Sequence, residues 1–493
     1  MIRIPRGRLS FSNVGLRWPA LLMVFAVAAA TRIAAELPGG FVPSGDWYQY
    51  SRVAENILRG CGVSLSVPGS GTCVPHFGGN GLPGYPFFIA AVWSVFGSTK
   101  AAVLWAQVVV SALAVPRLAY GASRMSGPTA GLLCGLVAAL SPLQAFMVRF
   151  PLTEALTIAA INWLLAELAL SVADRRLRVL PLACVLTVGL FLRLDFAAFL
   201  VPVAVVGIWI HGISVAALRG GLLAVALCVP LGLWSARNVA VGISVVPPVA
   251  NGWMLSDGSV GPLGFLDWVM QWVTIEEQRN ALLFFGANNY DRIQLLSGAR
   301  LPAGQDDRAR ELLAELRTHT GQPFPADTNT AFAAMAAEAA QARSLQDTIV
   351  LRARQTWGFW RSWAQPLPNE LRPPDTSPEA EFMQLWIKRS FTSGLEPLLN
   401  TLTRDYRFLL GITFILSVLA FRRGSSERRL FTLAAASVVI IKTALAVAAL
   451  ALEQRYTVTA VPMMEFAVAL SMLELVRRFR RRRELGAAAE ARA

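Results

Sequence analysis

Residues 45–97, GDWYQYSRVAENILRGCGVSLSVPGSGTCVPHFGGNGLPGYPFFIAAVWSVFG, decide how this chain is organised. An isolated acid, Asp46, stands near the start, soon after the first apolar segment of membrane length. A short helical pattern and a loop rich in Gly and Pro follow, and the loop ends in PGYP. Ionisable side chains placed at a membrane are functional candidates by default. The stretch therefore predicts an active site at the outer surface of a membrane.

The composition of the whole chain agrees with a membrane setting. Of 493 residues, 55% are hydrophobic and only 15% are charged, whereas soluble proteins carry about a quarter charged residues. A helix of about 20 apolar residues can cross a bilayer. Windows of roughly that kind run over Trp18–Ala35, Ala101–Gly121, Ala130–Phe146, Leu152–Val172, Leu177–Leu192, Phe196–Ile213, Gly221–Trp234, Phe408–Phe421, Leu430–Leu450 and Val458–Val476. We expect an α-helical polytopic membrane protein with about ten transmembrane helices, outer juxtamembrane helices and a mostly helical outer domain.

Arginine placement predicts the orientation. If the basic start of the chain is inside, alternate crossings also put inside Arg124, Arg175, Arg176, Arg178, Arg219, Arg422, Arg423, Arg428, Arg429 and the RRFRRRR run at 477–483. Both termini are then cytoplasmic, as the positive-inside rule requires. The net charge of +14 indicates topology and attraction to anionic lipids, not nucleic-acid binding. We expect the first span to be retained, the alternative being a cleaved signal, and either leaves Asp46 outside.

Composition divides the chain into three regions. Residues 1–237 form a membrane module whose first outer loop covers 37–97, residues 238–405 a periplasmic domain, and residues 406–493 further membrane helices with a basic tail. In the outer domain, helical patterns cover Arg308–His319, Ala331–Leu345 and Ile349–Trp363. QPLPNELRPPD, at 365–375, is then a Pro-rich turn or linker.

The first outer loop contains two local patterns and a pair of cysteines. Apolar residues recur at helical spacing over Tyr50–Leu58, which predicts a sided helix along the membrane surface. Pro83–Phe96 is a second apolar piece, too short to cross the membrane comfortably. Cys61 and Cys73 either form a disulfide, as an oxidising compartment would allow, or remain two free thiols.

Four spans carry an arginine at the end that this topology places outside. The arginines and their polar neighbours are Arg149 with Glu154, Arg193 with Asp195, Arg237 with Asn238, and Arg455 with Glu453. For any single pair, a local contact that lowers the cost of burial is a sufficient explanation. Four such ends on one side favour a shared anionic ligand, and the forked guanidinium suits a phosphate.

The order of these motifs resembles a known superfamily. It consists of Asp46 with Tyr50 and AENIL, then PGYPFF, PLTEAL, an arginine ending the fifth span, WSARN, and EQRYTVTAVP. This order is similar to that of the GT-C superfamily of polyprenyl-phosphate-sugar-dependent glycosyltransferases. The branch it most resembles includes the dolichyl-phosphate-mannose protein mannosyltransferases and the lipid A aminoarabinose transferase. The resemblance covers the membrane regions and fades in the long outer segment.

The resemblance implies roles for particular residues. It implies that Asp46 is catalytic and that the substrate is bound by Tyr50, His76, Tyr85, Glu154, Arg193, Arg237, Asn238, Arg455 and Tyr456. His76 could equally be a solvated loop histidine. Many relatives have a second acid where this chain has Trp47, and some have an acid and a basic residue where it has Gly81 and Leu82. The motif therefore gives no support for a divalent metal, which stays open, and no other cofactor is expected.

The implied reaction is transfer of a hexosyl or pentosyl group from a polyprenyl phosphate to a lipid, glycan or protein acceptor. It would take place at the periplasmic face of a bacterial inner membrane, by a single inverting displacement. Asp46 also has a structural alternative, because Ser44-Gly45-Asp46 ahead of a helix is a good capping sequence. At the level of the whole protein, the alternatives are a flippase or transporter and a polymerase or ligase of lipid-linked sugars.

Overall fold

The computed structural model describes residues 15–36, 45–67, 71–76, 82–243, 262–283, 288–296, 299–360, 396–449 and 454–490. Regular structure in these ranges is helical, apart from isolated bridges such as the antiparallel one between Ser64 and Pro75. The Pro-rich stretch at 365–375 lies outside the described residues. The predicted class, a helical polytopic membrane protein, is confirmed.

The membrane regions contain twelve described helices in two groups. The first group is α1 (Trp18–Glu36), α2 (Gly45–Leu58), α3 (Gly84–Phe96), α4 (Lys100–Ser126), α5 (Pro128–Leu140), α6 (Pro142–Phe146), α7 (Thr153–Ala173), α8 (Val179–Leu192) and α9 (Leu200–Ala240). The second follows the outer domain and is given as α15 (Glu396–Leu419), α16 (Ser426–Ala448) and α17 (Val461–Glu490). Short 3₁₀ segments at Met147–Arg149, Leu194–Phe199 and Gln454–Ala460 join several of them.

Each predicted apolar window coincides with a helix or a pair of helices. Among the described residues, six helical segments are long and apolar enough to cross a membrane, or seven if α5 and α6, which are bent by 45°, form one span. The helix α8 has only 14 residues. The number of ten transmembrane helices therefore stays a prediction.

One long helical segment accounts for two of the predicted windows. The helix α9 covers 41 residues and is interrupted at Gly212, whose φ of 75° is left-handed. At about 1.5 Å per residue its two parts together measure about 60 Å, roughly twice the hydrocarbon thickness of a bilayer. Glycine adopts this backbone conformation without strain. The position of the interruption at Gly212 agrees with the division into the windows Phe196–Ile213 and Gly221–Trp234.

The membrane core forms around α4 and α7. These two helices can approach closely because Gly121 has no side chain. A Cβ at this position would lie only 2.7 Å from the carbonyl oxygen of Ala166. The helices α1 and α5 pack on α4, while α8 packs on α7 and α16 packs on both α9 and α17. One continuous apolar cluster runs through them, from Val24 to Leu470. This packing brings the start of α7, the end of α8 and the start of α17 together.

The outer domain has its own core. Its helices are α10 (Leu263–Met270), α11 (Glu276–Leu283), α12 (Asp306–Thr318), α13 (Ala326–Ala342) and α14 (Leu345–Trp360). Buried aromatic side chains hold them together, namely Phe265, Trp268, Phe332 and Phe359. The indole of Trp360, at the end of α14, donates a hydrogen bond of 2.9 Å to Oγ1 of Thr443 in α16. This bond joins the outer domain to a membrane helix.

The three predicted outer helices are present with shifted bounds. The predicted second helix was placed as far as Leu345, but α13 ends at Ala342. The reason is that Ser344 begins the next helix, because its hydroxyl accepts the backbone N–H of Asp347 at 3.1 Å. The third helix is described only as far as Trp360. The division of the chain at residues 237 and 405 stays a prediction, and residue 405 falls within α15.

A separate apolar cluster forms under the first outer loop. It combines Trp47, Tyr50 and Ala54 of α2 with Tyr85 and Ile89 of α3. The sided helix predicted over Tyr50–Leu58 is thus present, although Leu58 itself is exposed. The helix α3 has 13 residues and coincides with the second apolar piece. The two helices position the start of the loop against the membrane core.

Candidate active site

Asp46 lies in the first turn of α2, which begins at Gly45. It is therefore the second helical residue and not the cap, and residue 44 lies outside the described ranges. Its Oδ2 is 2.8 Å from Nη1 of Arg455. An acid in the first helical turn also interacts favourably with the helix dipole. The contact with Arg455 fixes the orientation of the carboxylate.

Alternating charges continue from Arg455 across the outer ends of three helices. Nε of Arg455 is 3.8 Å from Oε1 of Glu154, and the same oxygen is 3.0 Å from Nη1 of Arg193. Arg193 also donates two hydrogen bonds to the carboxylate of Asp195, of 2.9 and 3.2 Å. Asp46, Arg455, Glu154, Arg193 and Asp195 thus form one continuous network.

Local backbone structure explains how these side chains meet. Glu154 is in the first turn of α7, immediately after the Pro151 turn. Arg193 follows the last residue of α8 in an extended conformation, with φ −156° and ψ 128°. Arg455 lies in the 3₁₀ segment that leads into α17. All three therefore occupy helix ends, where the chain changes direction and side chains can converge.

The Tyr456 ring lies between the two arginines. Its centroid is 4.4 Å from the guanidinium carbon of Arg193 and 5.2 Å from that of Arg455. Burial alone would lower the pKa of Arg193, but the carboxylates of Asp195 and Glu154 raise it above its ordinary value. Arg193 therefore remains a cation. Two fixed cations beside one aromatic ring are suited to receiving an anion.

Sequence reasoning missed one member of this network, Lys442. It lies in α16, is buried, and donates from Nζ to Oδ2 of Asp195 at 2.5 Å. A signal was present, because a lysine within an apolar span is itself a functional hint. The sequence prediction was based on arginines at the ends of spans, whereas Lys442 lies before the end of its helix.

Tyr50 and Tyr85 support the site from below α2. Their rings meet edge to face, with centroids 4.9 Å apart. The hydroxyl of Tyr85 donates to Oε1 of Gln107 at 2.6 Å, and Nε2 of Gln107 donates to the carbonyls of Val148 and Phe150. Tyr85 thus connects α3 to the turn that precedes Glu154. These contacts describe a scaffold for the charged residues.

The glycine of the PGYP motif has a clear steric role. A Cβ on Gly84 would lie 2.5 Å from the carbonyl oxygen of Phe191 and 3.0 Å from the backbone nitrogen of Leu192. Since both contacts are with backbone atoms, neither can move aside easily. Gly84 therefore lets α3 begin against the end of α8, directly beside Arg193.

Arg237, Asn238 and His76 form a different group. Arg237 donates from Nη1 to the His76 carbonyl at 2.8 Å and from Nη2 to the Val63 carbonyl at 3.1 Å. Its Nη1 also donates to Oδ1 of Asn238. In this structure Arg237 therefore holds the backbone of the first outer loop, and a phosphate contact for it stays a prediction.

The same loop is closed by a disulfide. Cys61 and Cys73 are bonded, with their Cα atoms 5.4 Å apart, and this selects the disulfide over two free thiols. The bridge lies next to the Ser64–Pro75 pair and to the two carbonyls that Arg237 holds. Asn56 of α2 adds bonds to the carbonyls of Ser64 and Ser66. The loop is thus fixed at several points.

Two of the expected local pairs, Arg149 with Glu154 and Arg455 with Glu453, stay predictions. Glu154 is held by Arg193 and Arg455, while the guanidinium of Arg149 lies 5.6 Å from the centroid of the Phe146 ring. Glu453 lies outside the described residues. Within the described part of the chain, no three His, Cys, Asp or Glu side chains are grouped so that they could hold a metal ion.

Searches of protein families and of curated proteins find no match to this chain. Among solved structures, ArnT from Cupriavidus metallidurans is similar in two states. The apo state gives 14% identity over 92% of this chain and 77% of ArnT, with a TM-score of 0.37. The state bound to undecaprenyl phosphate gives 14% identity, 92% and 79% coverage, and a TM-score of 0.36.

A third solved structure is similar over a smaller share of its own length. It is the archaeal oligosaccharyltransferase AglB from Archaeoglobus fulgidus, in complex with an inhibitory peptide and a dolichol-phosphate. The identity is 11%, the TM-score is 0.43, and the match covers 94% of this chain and 52% of AglB. The likeness is distant, and we transfer no residue role from either protein.

Proposed function

We propose that this protein is an integral membrane glycosyltransferase that uses a polyprenyl-phosphate-linked sugar. The observation that carries the proposal is the ion pair of Asp46 with Arg455, set among Glu154, Arg193 and Tyr456 at the outer ends of membrane helices. The group combines an ionised carboxylate with two fixed cations. Inverting transfer from a phosphate donor needs this combination, a base for the acceptor and positive charge for the leaving group.

In the proposed reaction, the acceptor oxygen or nitrogen attacks the anomeric carbon of the sugar. A bond from the acceptor to this carbon forms while the bond from the carbon to the phosphate oxygen breaks. The acceptor proton passes to the carboxylate of Asp46, and the electron pair of the broken bond stays on the phosphate. Arg455 and Arg193 stabilise that developing charge, since preorganised cations act most strongly where charge appears.

The contacts of Asp46 are compatible with the role of base. The contact with Arg455 orients the carboxylate, because Nη1 of the arginine lies 2.8 Å from Oδ2 of Asp46. When a donor phosphate contacts Arg455, it competes with the carboxylate of Asp46 for the same guanidinium. Binding of the donor would then loosen the ion pair and make the base available. The proposed order is donor first, acceptor second.

We place the reaction at the periplasmic face of a bacterial inner membrane. The arginine bias of the sequence supports this orientation, and the Cys61–Cys73 disulfide fits an oxidising compartment. The apolar core below the charged network is suited to the lipid chain of a polyprenyl phosphate. The transferred group is proposed to be a hexose or pentose, and the acceptor a lipid, glycan or protein.

The proposal is tested with purified protein in lipid nanodiscs. Supplied with a panel of polyprenyl-phosphate sugars and with bacterial membranes as acceptors, the protein should release polyprenyl phosphate, measured by mass spectrometry. A labelled sugar should appear on the acceptor in equal amount. Movement of the intact sugar lipid across a vesicle without release would contradict the proposal and support a flippase. Lengthening of a lipid-linked glycan would support a polymerase.

A further inference from the structure

Lys442 is the single charged residue of α16 beyond Arg429. Its side chain is only 2% exposed, and its Nζ lies 2.5 Å from Oδ2 of Asp195. A buried ammonium in a membrane helix is costly, so its presence calls for a reason beyond packing. The sequence motifs give Lys442 no role, and neither does the reaction proposed above.

A simple ion pair does not account for Lys442. Asp195 already has a complete partner, because Arg193 binds both of its oxygens, at 2.9 and 3.2 Å. A second cation on the same carboxylate adds positive charge that Asp195 does not need. Arg193 also forms an ion pair with Glu154. When Lys442 offsets the charge of Asp195, the electrostatic effect therefore reaches Glu154 through Arg193.

The balance of charge in the network depends on this lysine. Among the described residues, the ion pairs given above join three cations, Lys442, Arg193 and Arg455, to three carboxylates. Without it, the carboxylates of Asp46, Glu154 and Asp195 would outnumber the cations by one. A site with a net negative charge opposes an approaching phosphate, and the opposition is strong where water is scarce.

We propose that Lys442 is a positioning residue that adapts the network to an anionic donor. By pairing with Asp195, it offsets the negative charge of that acid, so that the positive charge of Arg193 remains effective beside Glu154 and Tyr456. This inference rests on the proposed function and specifies how its donor site is charged. Lys442 acts through Asp195 and Arg193, and it need not touch the donor.

The proposal is tested by binding, independently of transfer. The probe is undecaprenyl phosphate in nanodiscs, measured by quenching of intrinsic tryptophan fluorescence, with undecaprenol as the uncharged reference. Lys442→Met keeps the length of the side chain and removes its charge. We expect affinity for undecaprenyl phosphate to fall by about tenfold or more, with affinity for undecaprenol unchanged. Lys100→Met, which removes an exposed lysine at the start of α4, is the matched control and should bind both probes like wild type.

A second variant separates charge from packing. Asp195→Asn added to Lys442→Met removes the extra carboxylate and should restore affinity to within about threefold of wild type. Asp195→Asn alone keeps the shape of Asp195 and should bind undecaprenyl phosphate at least as well as wild type, which keeps the test valid if Lys442→Met inserts poorly. In transfer assays, Lys442→Met should raise KM more than it lowers kcat.

Three results would overturn the inference. These are wild-type affinity in correctly inserted Lys442→Met, a double variant as weak as the single one, or a tenfold loss in Asp195→Asn alone. If wild-type protein binds undecaprenyl phosphate but these results occur, only the role of Lys442 fails. If wild-type protein does not bind undecaprenyl phosphate, both the donor class of the proposed function and the role of Lys442 fail.

Discussion

Asp46 and Arg455 are separated by 409 positions in the chain, and yet their charged atoms lie 2.8 Å apart. The pair gives Asp46 a chemical environment that a helix cap would not provide, because a cap bonds backbone N–H groups. The acid also faces cations that suit a phosphate, while the half-buried acid of the same helix, Glu55, pairs with Arg59 in the next turn. These two acids of α2 allow a matched experiment.

Asp46→Asn keeps the size of the side chain and its ability to accept a hydrogen bond, but removes the proton acceptor. We expect normal insertion and a loss of transfer by a factor of about 10² or more, measured as release of polyprenyl phosphate. Glu55→Gln removes a carboxylate from the exposed side of the same helix and should retain activity. Substantial transfer by the Asp46→Asn protein would move the search for a base to Glu154.

At the residue scale, the sequence identified the arginines at helix ends but not all of their partners. Arg193 and Arg455 stood out because arginines at the outer ends of spans oppose the usual bias. The pairing of Arg193 with its neighbour Asp195 is present in the structure. The contacts of Arg193 and of Arg455 with Glu154 were not predicted, because these partners lie far apart in the chain. Arg237 shows the same limit, because the carbonyls that it holds lie 161 and 174 positions away in the chain.

At the scale of elements, the site depends on how closely α3 meets α8. The helix α3 begins where Gly84 touches the backbone at the end of α8, one residue before Arg193. Tyr85, the next residue, ties α3 to Gln107 in α4. Displacement of α3 would therefore disturb both Arg193 and the apolar cluster that supports Asp46.

Gly84→Ala tests this contact. The added methyl would lie within 2.5 Å of the Phe191 carbonyl, so we expect α3 to move and transfer to fall by tenfold or more. The free energy of unfolding should also decrease, by about 1–3 kcal/mol, as it does when a core is overpacked. Gly220→Ala, at a helical glycine with no atom within 4 Å of the new Cβ, is the control and should change neither. Full activity in Gly84→Ala would show that the close contact is dispensable.

Helix periodicity predicted most elements, but not their junctions. The pattern over Tyr50–Leu58 identified α2, and the apolar windows coincided with membrane helices, because both depend on local spacing. The bend between α5 and α6 was not predicted, whereas the gap between the windows Phe196–Ile213 and Gly221–Trp234 agrees with the interruption at Gly212. Apolar length alone cannot distinguish one continuous span from two pieces, since the bend depends on a few backbone angles.

At the scale of the molecule, the charged network and the outer domain are proposed to face the same compartment. The supporting contact is the bond from Trp360 to Thr443, which places the end of α14 against the membrane helix that carries Lys442. The basic end of α17, with exposed arginines from Arg477 to Arg483, would then lie on the opposite face.

This orientation is tested by labelling in a background without cysteine. An exposed residue of the outer domain, changed by Gln322→Cys, should react with a membrane-impermeant maleimide in intact cells. An exposed residue of α17, changed by Arg483→Cys, should react only after permeabilisation. Reaction of Arg483→Cys in intact cells, or protection of Gln322→Cys, would overturn the proposed topology.

The bond between Trp360 and Thr443 also limits how modular this protein can be. Exchanging residues 262–360 for the outer domain of a relative would remove the indole that docks one residue away from Lys442. A functional chimera would therefore have to import the upper part of α16 together with the new domain. In evolutionary terms, the two segments are expected to be inherited as a unit, so exchange of the domain would require concerted change in a membrane helix.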